Sequence, residues 1–200
     1  MTPEEIKEMK DGYIDHLKEY ITQTGSLFAH LVVIGTTKED NKKSIIHVPV
    51  PDEYIKDERG KDFFIKKLVP EAAKEIVKKF NYEVIGWASE AWIRTVDEKD
   101  SDNLKNWKDI PIKKEVVFII FESKDGQETI VYDIIRNGKQ VNTDGELADS
   151  VDLVEDKKLS TMYKNAKVTV GRLTGLYKTF ENASKADETP TQKPEADLSV

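Results

Sequence analysis

Apolar residues recur in this chain with two different periods, and the switches between them divide it into elements. Ile6, Met9, Tyr13, Leu17 and Tyr20 return at steps of three and four, one stripe of a helix over residues 2–22. Thr2 stands at its N-cap and Pro3 at the first helical position, with Glu4 and Glu5 where the helix dipole favours anions. Thr24-Gly25 ends it. Leu27–Gly35, rich in branched residues, predicts a strand. Thr36–Lys43 is a polar turn, and Ser44–Val50 a returning strand stopped by Pro49 and Pro51. A charged loop is expected over Asp52–Lys61. Phe64, Leu68, Ala72, Ile76 and Phe80 then form one face of a helix, with Pro70 expected to kink it or to start it afresh.

Asn81 closes that helix, and Glu83–Thr95 is a third strand. Val96–Pro111, containing Trp107, reads as a long irregular loop. Glu115–Glu122 is almost continuously apolar, the mark of a central strand buried on both faces. Lys124-Asp125-Gly126 predicts a tight hairpin to Thr129–Arg136, and Asn137-Gly138 a second turn into a short edge strand, Lys139–Asn142. Residues 143–157 form an acidic connector carrying Asp144, Glu146, Asp149, Asp152, Glu155 and Asp156. Leu159, Tyr163, Ala166, Val170, Leu173, Tyr177 and Phe180 follow at alternating steps of four and three, a heptad-like stripe that predicts an amphipathic helix over residues 158–182. Ala183–Val200, nearly devoid of large apolar groups, is expected to be a disordered tail. The fold class is therefore α+β: a mainly antiparallel sheet of five or six strands packed with helices in a core domain over residues 1–142, a helical C-terminal arm and a tail.

Composition narrows the functions open to such a fold. The 200 residues hold 38% hydrophobic and 34% charged residues, enough for one core under a heavily charged surface. A net charge of −7 argues against a general nucleic-acid binder, which needs a basic face to displace counterions. The absence of cysteine excludes disulfides, thiolate metal sites and cysteine nucleophiles. Met1-Thr2-Pro3-Glu4-Glu5 is unlike a basic signal peptide, and no apolar run approaches the roughly 18–20 residues that span a bilayer, so a soluble cytoplasmic protein without membrane contact is expected.

The strand reading Trp87-Ala88-Ser89-Glu90-Ala91-Trp92 carries the densest candidate chemistry. Alternation puts Trp87, Ser89, Ala91 and Ile93 on one face and Ala88, Glu90, Trp92 and Arg94 on the other. One reading is a ligand pocket around Trp87, Glu90, Trp92 and Arg94, with Glu90 as base or anchor and Arg94 as anion contact. The other is a solvated sheet surface on which Glu90 and Arg94 are neighbours.

A helix, the strand Ser89-Glu90-Ala91-Trp92, a polar loop with proline, the charged entry Lys113-Lys114-Glu115-Val116-Val117 and an Asp-Gly hairpin together resemble a group of small bacterial and phage proteins of uncharacterised activity. The likeness covers Phe63–Arg136. It implies an accessory protein of a bacterium or phage and brings no catalytic residue with it.

Other constellations are weaker. His30 and His47 on adjacent strands could share a metal, but no spaced third ligand accompanies them, and His16 lies on the first helix. Gln140–Val151 brushes the calcium-loop pattern and fails at its first and twelfth positions. No Gly-x-Ser-x-Gly elbow places Ser89 beside His30, and Gly35-Thr36-Thr37-Lys38 lacks the glycines of a phosphate loop. No catalytic residue, metal or cofactor is expected. The stripe Leu159, Tyr163, Val170, Leu173, Tyr177 and Phe180 serves either as an interaction helix, the seam of a homo-oligomer, or as a helix packed back on its own sheet. Two functions follow: a non-enzymatic accessory protein acting through contact with a protein partner or with itself, and a small-molecule-binding or hydrolytic domain.

Overall fold

The computed structural model of the chain describes residues 1–55, 58–93, 114–141, 145, 147–165 and 175–187. It opens with α1, Pro3–Thr24, whose ends are closed by its own sequence. Thr2 Oγ1 accepts the Glu5 N–H at 3.2 Å, and the Glu5 carboxylate accepts the Thr2 N–H at 2.9 Å. Gly25 takes the left-handed conformation, φ 77°, and its N–H reaches the Ile21 carbonyl at 2.7 Å. A side chain there would also meet the Asp149 backbone at 2.9 Å, so the glycine lets the helix end lie against the sheet.

Six strands follow: β1 His30–Thr37, β2 Lys43–Pro49, β3 Phe80–Ile93, β4 Lys114–Ser123, β5 Gly126–Val141 and β6 Leu147–Glu155. They form one sheet, every neighbouring pair antiparallel, in the order β2-β1-β3-β4-β5-β6. With the helices this is the α+β fold that the two hydrophobic periods predict. The central pair has Trp87 opposite Ile120, Ser89 opposite Phe118 and Glu90 opposite Val117. Val116 through Phe121 are all buried, so β4 is covered on both faces.

Alternation sends side chains into two separate layers. On one face Leu31, Val33, Ile85 and Trp87 meet α4 (Val69–Lys79), α6 (Leu176–Asp187) and Phe64, while Val116, Phe118, Ile120 and Val131 meet Leu159 of α5 (Lys157–Asn165). On the other face Val32, Ile34, Val84, Ala88, Val117, Ile119, Phe121 and Tyr132 lie under Tyr13, Ile14, Leu17 and Ile21 of α1. These are called the α4 face and the α1 face below.

Several elements differ from the sequence expectation, each for a physical reason. The charged stretch after Pro51 is not a loop: it holds the short helices α2, Asp52–Ile55, and α3, Glu58–Phe63. A π-helical turn, Phe64–Leu68, joins α3 to α4 without a break, and Pro70 follows directly in the first turn of α4. The wider turn shifts the buried stripe by one position, from Leu68, Ala72 and Ile76 to Val69, Ala73 and Val77. Asn137-Gly138 does not turn the chain: β5 runs on to Val141 with a bulge between Arg136 and Lys139, Gly138 taking φ 106°. Leu147–Glu155, expected within an acidic connector, is the sixth strand, burying Val151 while its acids line the sheet edge.

Among the described residues, the stretch expected as one helix over residues 158–182 holds α5 and α6, with Gly175 at φ 83° outside both, and Ala183–Asp187, expected in the tail, belong to α6, with Ala183 buried. Val96–Pro111 with Trp107, residues 166–174 and residues 188–200 lie outside the described residues. Among the described residues no helix is long and apolar enough to cross a membrane.

Candidate functional site

The end of the sheet where α1 stops is organised by one side chain, Arg136 of β5. Its Nε donates to Glu115 Oε2 at 2.7 Å, and its Nη1 donates to the Gly25 carbonyl at 2.8 Å and to Asp149 Oδ2 at 3.2 Å. Glu90 Oε2 lies 3.9 Å from Nη2. One guanidinium thus joins the end of α1 to β3, β4 and β6, which its five donors in a fixed fork allow and a lysine's point charge would not. Lys139 adds a second bond to Asp149, at 2.6 Å, and Gln140 Nε2 donates to the Thr22 carbonyl at 2.6 Å.

The carboxylates in this group differ. Glu90 is half-buried, and Oε1 accepts the Leu27 N–H at 2.7 Å. Burial pushes its pKa up; the Leu27 N–H and Arg136 pull against that, and neighbouring Glu115 adds to it. The Arg136 hydrogen bond, with that from the Trp92 indole, holds Glu115 below the usual carboxylate range. Lys139 does the same for Asp149.

Large apolar side chains surround the network. Trp92 donates its indole N–H to Glu115 Oε1 at 3.1 Å while the residue is 67% exposed. Phe28, next to Leu27, is 58% exposed. Val141 and Leu147, paired with each other two residues beyond Lys139 and Asp149, are 67% and 72% exposed.

Of the residues expected around one pocket, Glu90 and Trp92 are brought together on the α1 face. Trp87 is not with them: it is buried on the α4 face, its indole donating to Ser89 Oγ at 3.0 Å and its ring edge-on to Phe64 at 6.0 Å. Arg94 lies outside the described residues. Of the interaction stripe, Leu159 packs on β4 and β5, while Tyr177 and Phe180 pack against Tyr82, so these three are taken up within the chain. Val170, Leu173 and the side chain of Tyr163 lie outside the described residues.

Sequence reasoning missed Arg136, Glu115 and Asp149 as a group, because only the register of four strands and one helix end brings them together. It also missed Glu122. This acid on β4 is 7% exposed, and its two oxygens accept the N–H groups of Gly175 and Tyr177 at 2.9 Å each, capping α6 from the sheet. A lone acid ending an apolar strand was its signal.

A cleft of about 430 Å³ opens between the first turns of α1 and the β4–β5 turn, over Ile6, Val84 and Phe121. On its rim Lys10 pairs with Glu128 and the Met1 amine with Glu83 at 2.9 Å, and Lys7, Lys124 and Asp125 also line it. Among the described residues no cluster of three or more His, Asp or Glu is arranged to hold a metal ion. Comparison with known protein families, with curated proteins and with solved structures returns no match to this chain.

Proposed function

We propose that this protein is a non-enzymatic accessory protein that works by holding a basic, partly apolar segment of a partner protein against the sheet end that carries Phe28, Trp92, Val141 and Leu147. The observation that carries the reading is the coincidence of these four exposed apolar side chains with the Arg136 network, each lying within two residues of one of its members. Apolar groups ringed by charge are the ordinary anatomy of a protein contact, and tryptophan is among the residues that dominate binding energy there.

Charge decides the kind of partner. Glu90, Glu115 and Asp149 outnumber Arg136 and Lys139 in the network, and the chain as a whole carries −7. A second copy would bring one acidic rim against another, whereas a basic segment is drawn to it. Arg136 also braces the site: it ties the helix end and three strands behind the apolar groups, so little ordering cost remains for binding.

The test compares Trp92→Ser and Phe28→Ser with Phe63→Ser, an exposed aromatic elsewhere on the surface. A partner recovered from the native source is purified and titrated against each variant. A loss of about tenfold or more on the first two and none on the third supports the reading. Equal affinity across all three, or self-association in sedimentation that Trp92→Ser abolishes, overturns the chosen site or the chosen partner.

The small-molecule reading is favoured by one observation, the cleft beside Phe121 rather than any pocket at Trp87. Its floor of Ile6, Val84 and Phe121 suits a ligand with an apolar portion. Native mass measurement of the purified protein, with detection of a co-purified small molecule, separates the two readings.

A further inference from the structure

All three histidines of the chain lie along the seam where α1 crosses β1 and β2. His47 pairs with Val32, two residues beyond His30, so the two histidines are diagonal neighbours on the α1 face, ring centroids 5.6 Å apart. Tyr13 comes down from α1 beside both, its ring 5.9 Å from His30 and 5.6 Å from His47. The Tyr13 hydroxyl is 2.7 Å from His30 Nε2, and His30 Nδ1 is 2.9 Å from the Phe28 carbonyl. A carbonyl can only accept, so Nδ1 carries the hydrogen and the Nε2 lone pair takes the Tyr13 O–H. The arrangement is built for a neutral imidazole.

The groups facing this cluster do not offset a positive charge. α1 contributes Tyr13 and, one turn on, His16; β1 and β2 contribute His30 and His47; β3 places Ala88 opposite His30; β4 sets the Phe121 ring edge-on to Tyr13. Glu5 of α1 is bonded to Lys43 of β2 at 2.8 Å towards the other end of the seam, and Glu8 also acts on Lys43. Glu90 of β3 holds the Leu27 N–H at the entry to β1.

We propose that this seam is a proton-operated clasp: charging His30 and His47 loosens the C-terminal half of α1 and residues 25–29 from the sheet, against the Arg136 and Gln140 bonds to the Gly25 and Thr22 carbonyls, while Lys43–Glu5 keeps the first turns of α1 in place. A proton on His30 Nε2 forces the Tyr13 hydroxyl to turn from donor to acceptor. A proton on His47 then stands beside a like charge. Release uncovers Ile14, Leu17 and Ile21, an apolar stripe buried in the closed form.

The direction with pH follows. Burial lowers the proton affinity of His30; burial, then His30 and His16, lower that of His47. Their contribution to holding α1 is therefore present above the ordinary histidine value of about 6.5 and is lost as pH falls below it. Glu90 has the opposite sign: its raised pKa makes its contribution larger as pH falls. Glu90→Gln removes that opposition, so the experiment is done in this background.

Amide hydrogen exchange at pH 7.5 and pH 5.5, corrected for intrinsic rate, reads the clasp. Amides of Tyr13–Thr24 should lose about tenfold in protection at the lower pH, with β4 amides unchanged. Adding His30→Gln and His47→Gln together should abolish the response. His47→Gln alone, at the less buried of the two histidines, should reduce it even where the double variant does not fold. A response that survives His47→Gln in full, or that is shared equally by β4, overturns the proposal.

Discussion

The two faces of the sheet solve one packing problem with different chemistry. The α4 face is covered by several short helices, and every short helix brings two ends whose backbone groups need partners. Those partners come from the strands and their flanks: Glu122 caps α6 and Asp156 Oδ1 accepts the Leu159 N–H of α5, while Ser160 Oγ of α5 in return accepts the Val131 N–H that β6 does not reach. The α1 face is covered by a single long helix that caps itself with Thr2, Glu5 and Gly25. Only the C-terminal end of that helix draws on strand side chains, Arg136 at the Gly25 carbonyl and Gln140 at the Thr22 carbonyl, and the other polar groups of the face pair around Arg136 or form the histidine seam. Coverage by many helix ends consumes polar groups; coverage by one long helix with only two ends leaves more of them for binding and titration.

The largest effect breaks the comparison if both faces are not equally dry. Ile119 is fully buried under α1, so Ile119→Asp places an unpaired carboxylate in the interior, a penalty of several kcal/mol against a total stability of about 5–15 kcal/mol. The variant should be insoluble or unfolded by circular dichroism. A folded variant melting like the parent would mean that water reaches the α1 face throughout. Glu122→Ala tests the other side: it leaves the Gly175 and Tyr177 N–H groups without their acceptor and should cost about 1–3 kcal/mol in urea denaturation. Glu122→Gln keeps one accepting oxygen and should lose less. An unchanged midpoint for Glu122→Ala would show that α6 is held by Leu176 and Phe180 alone.

The elements were legible where the pattern is local. α1, the apolar strand β4 and the Asp125-Gly126 hairpin each announce themselves through period, caps or turn residues. What failed was set by neighbours. Asn137-Gly138 offers turn chemistry, yet β6 pairs with residues on both sides of it, and the ladder prevails by turning the glycine into a bulge. The acids of residues 147–155 hide a strand because their polar side chains line an edge, while Val151 and Leu153 face inward. In the candidate site Glu90 and Trp92 shared a face by simple alternation. Arg136, Glu115, Asp149 and the Gly25 carbonyl could not be read, since their meeting depends on strand order and on where α1 ends.

Arg136→Met sharpens the claim that polar groups on the α1 face serve each other. The network is one-third exposed, so solvent screening limits the loss to about 1 kcal/mol, most of it from leaving half-buried Glu90 without its nearby cation. Adding Glu90→Gln to Arg136→Met should recover part of that loss, a coupling readable in a double-mutant cycle. Strict additivity would show that Arg136 acts through the Gly25 carbonyl rather than through charge.

The smallest expected effect on stability is at Trp92, and its smallness is the point. A core tryptophan would cost about 3–5 kcal/mol on truncation, and Trp87, buried against Phe64 on the α4 face, should behave that way. Trp92 lies five residues along the same strand with its ring in solvent, holding one hydrogen bond to Glu115. Trp92→Ser should therefore shift the unfolding free energy by no more than about 0.5 kcal/mol while removing the largest apolar group of the proposed contact. Two tryptophans of one strand would then divide the roles of the two faces, one for packing and one for recognition. Equal losses of stability at both positions would place Trp92 in the core as well, and the contrast between the faces would fail at the residue meant to carry it.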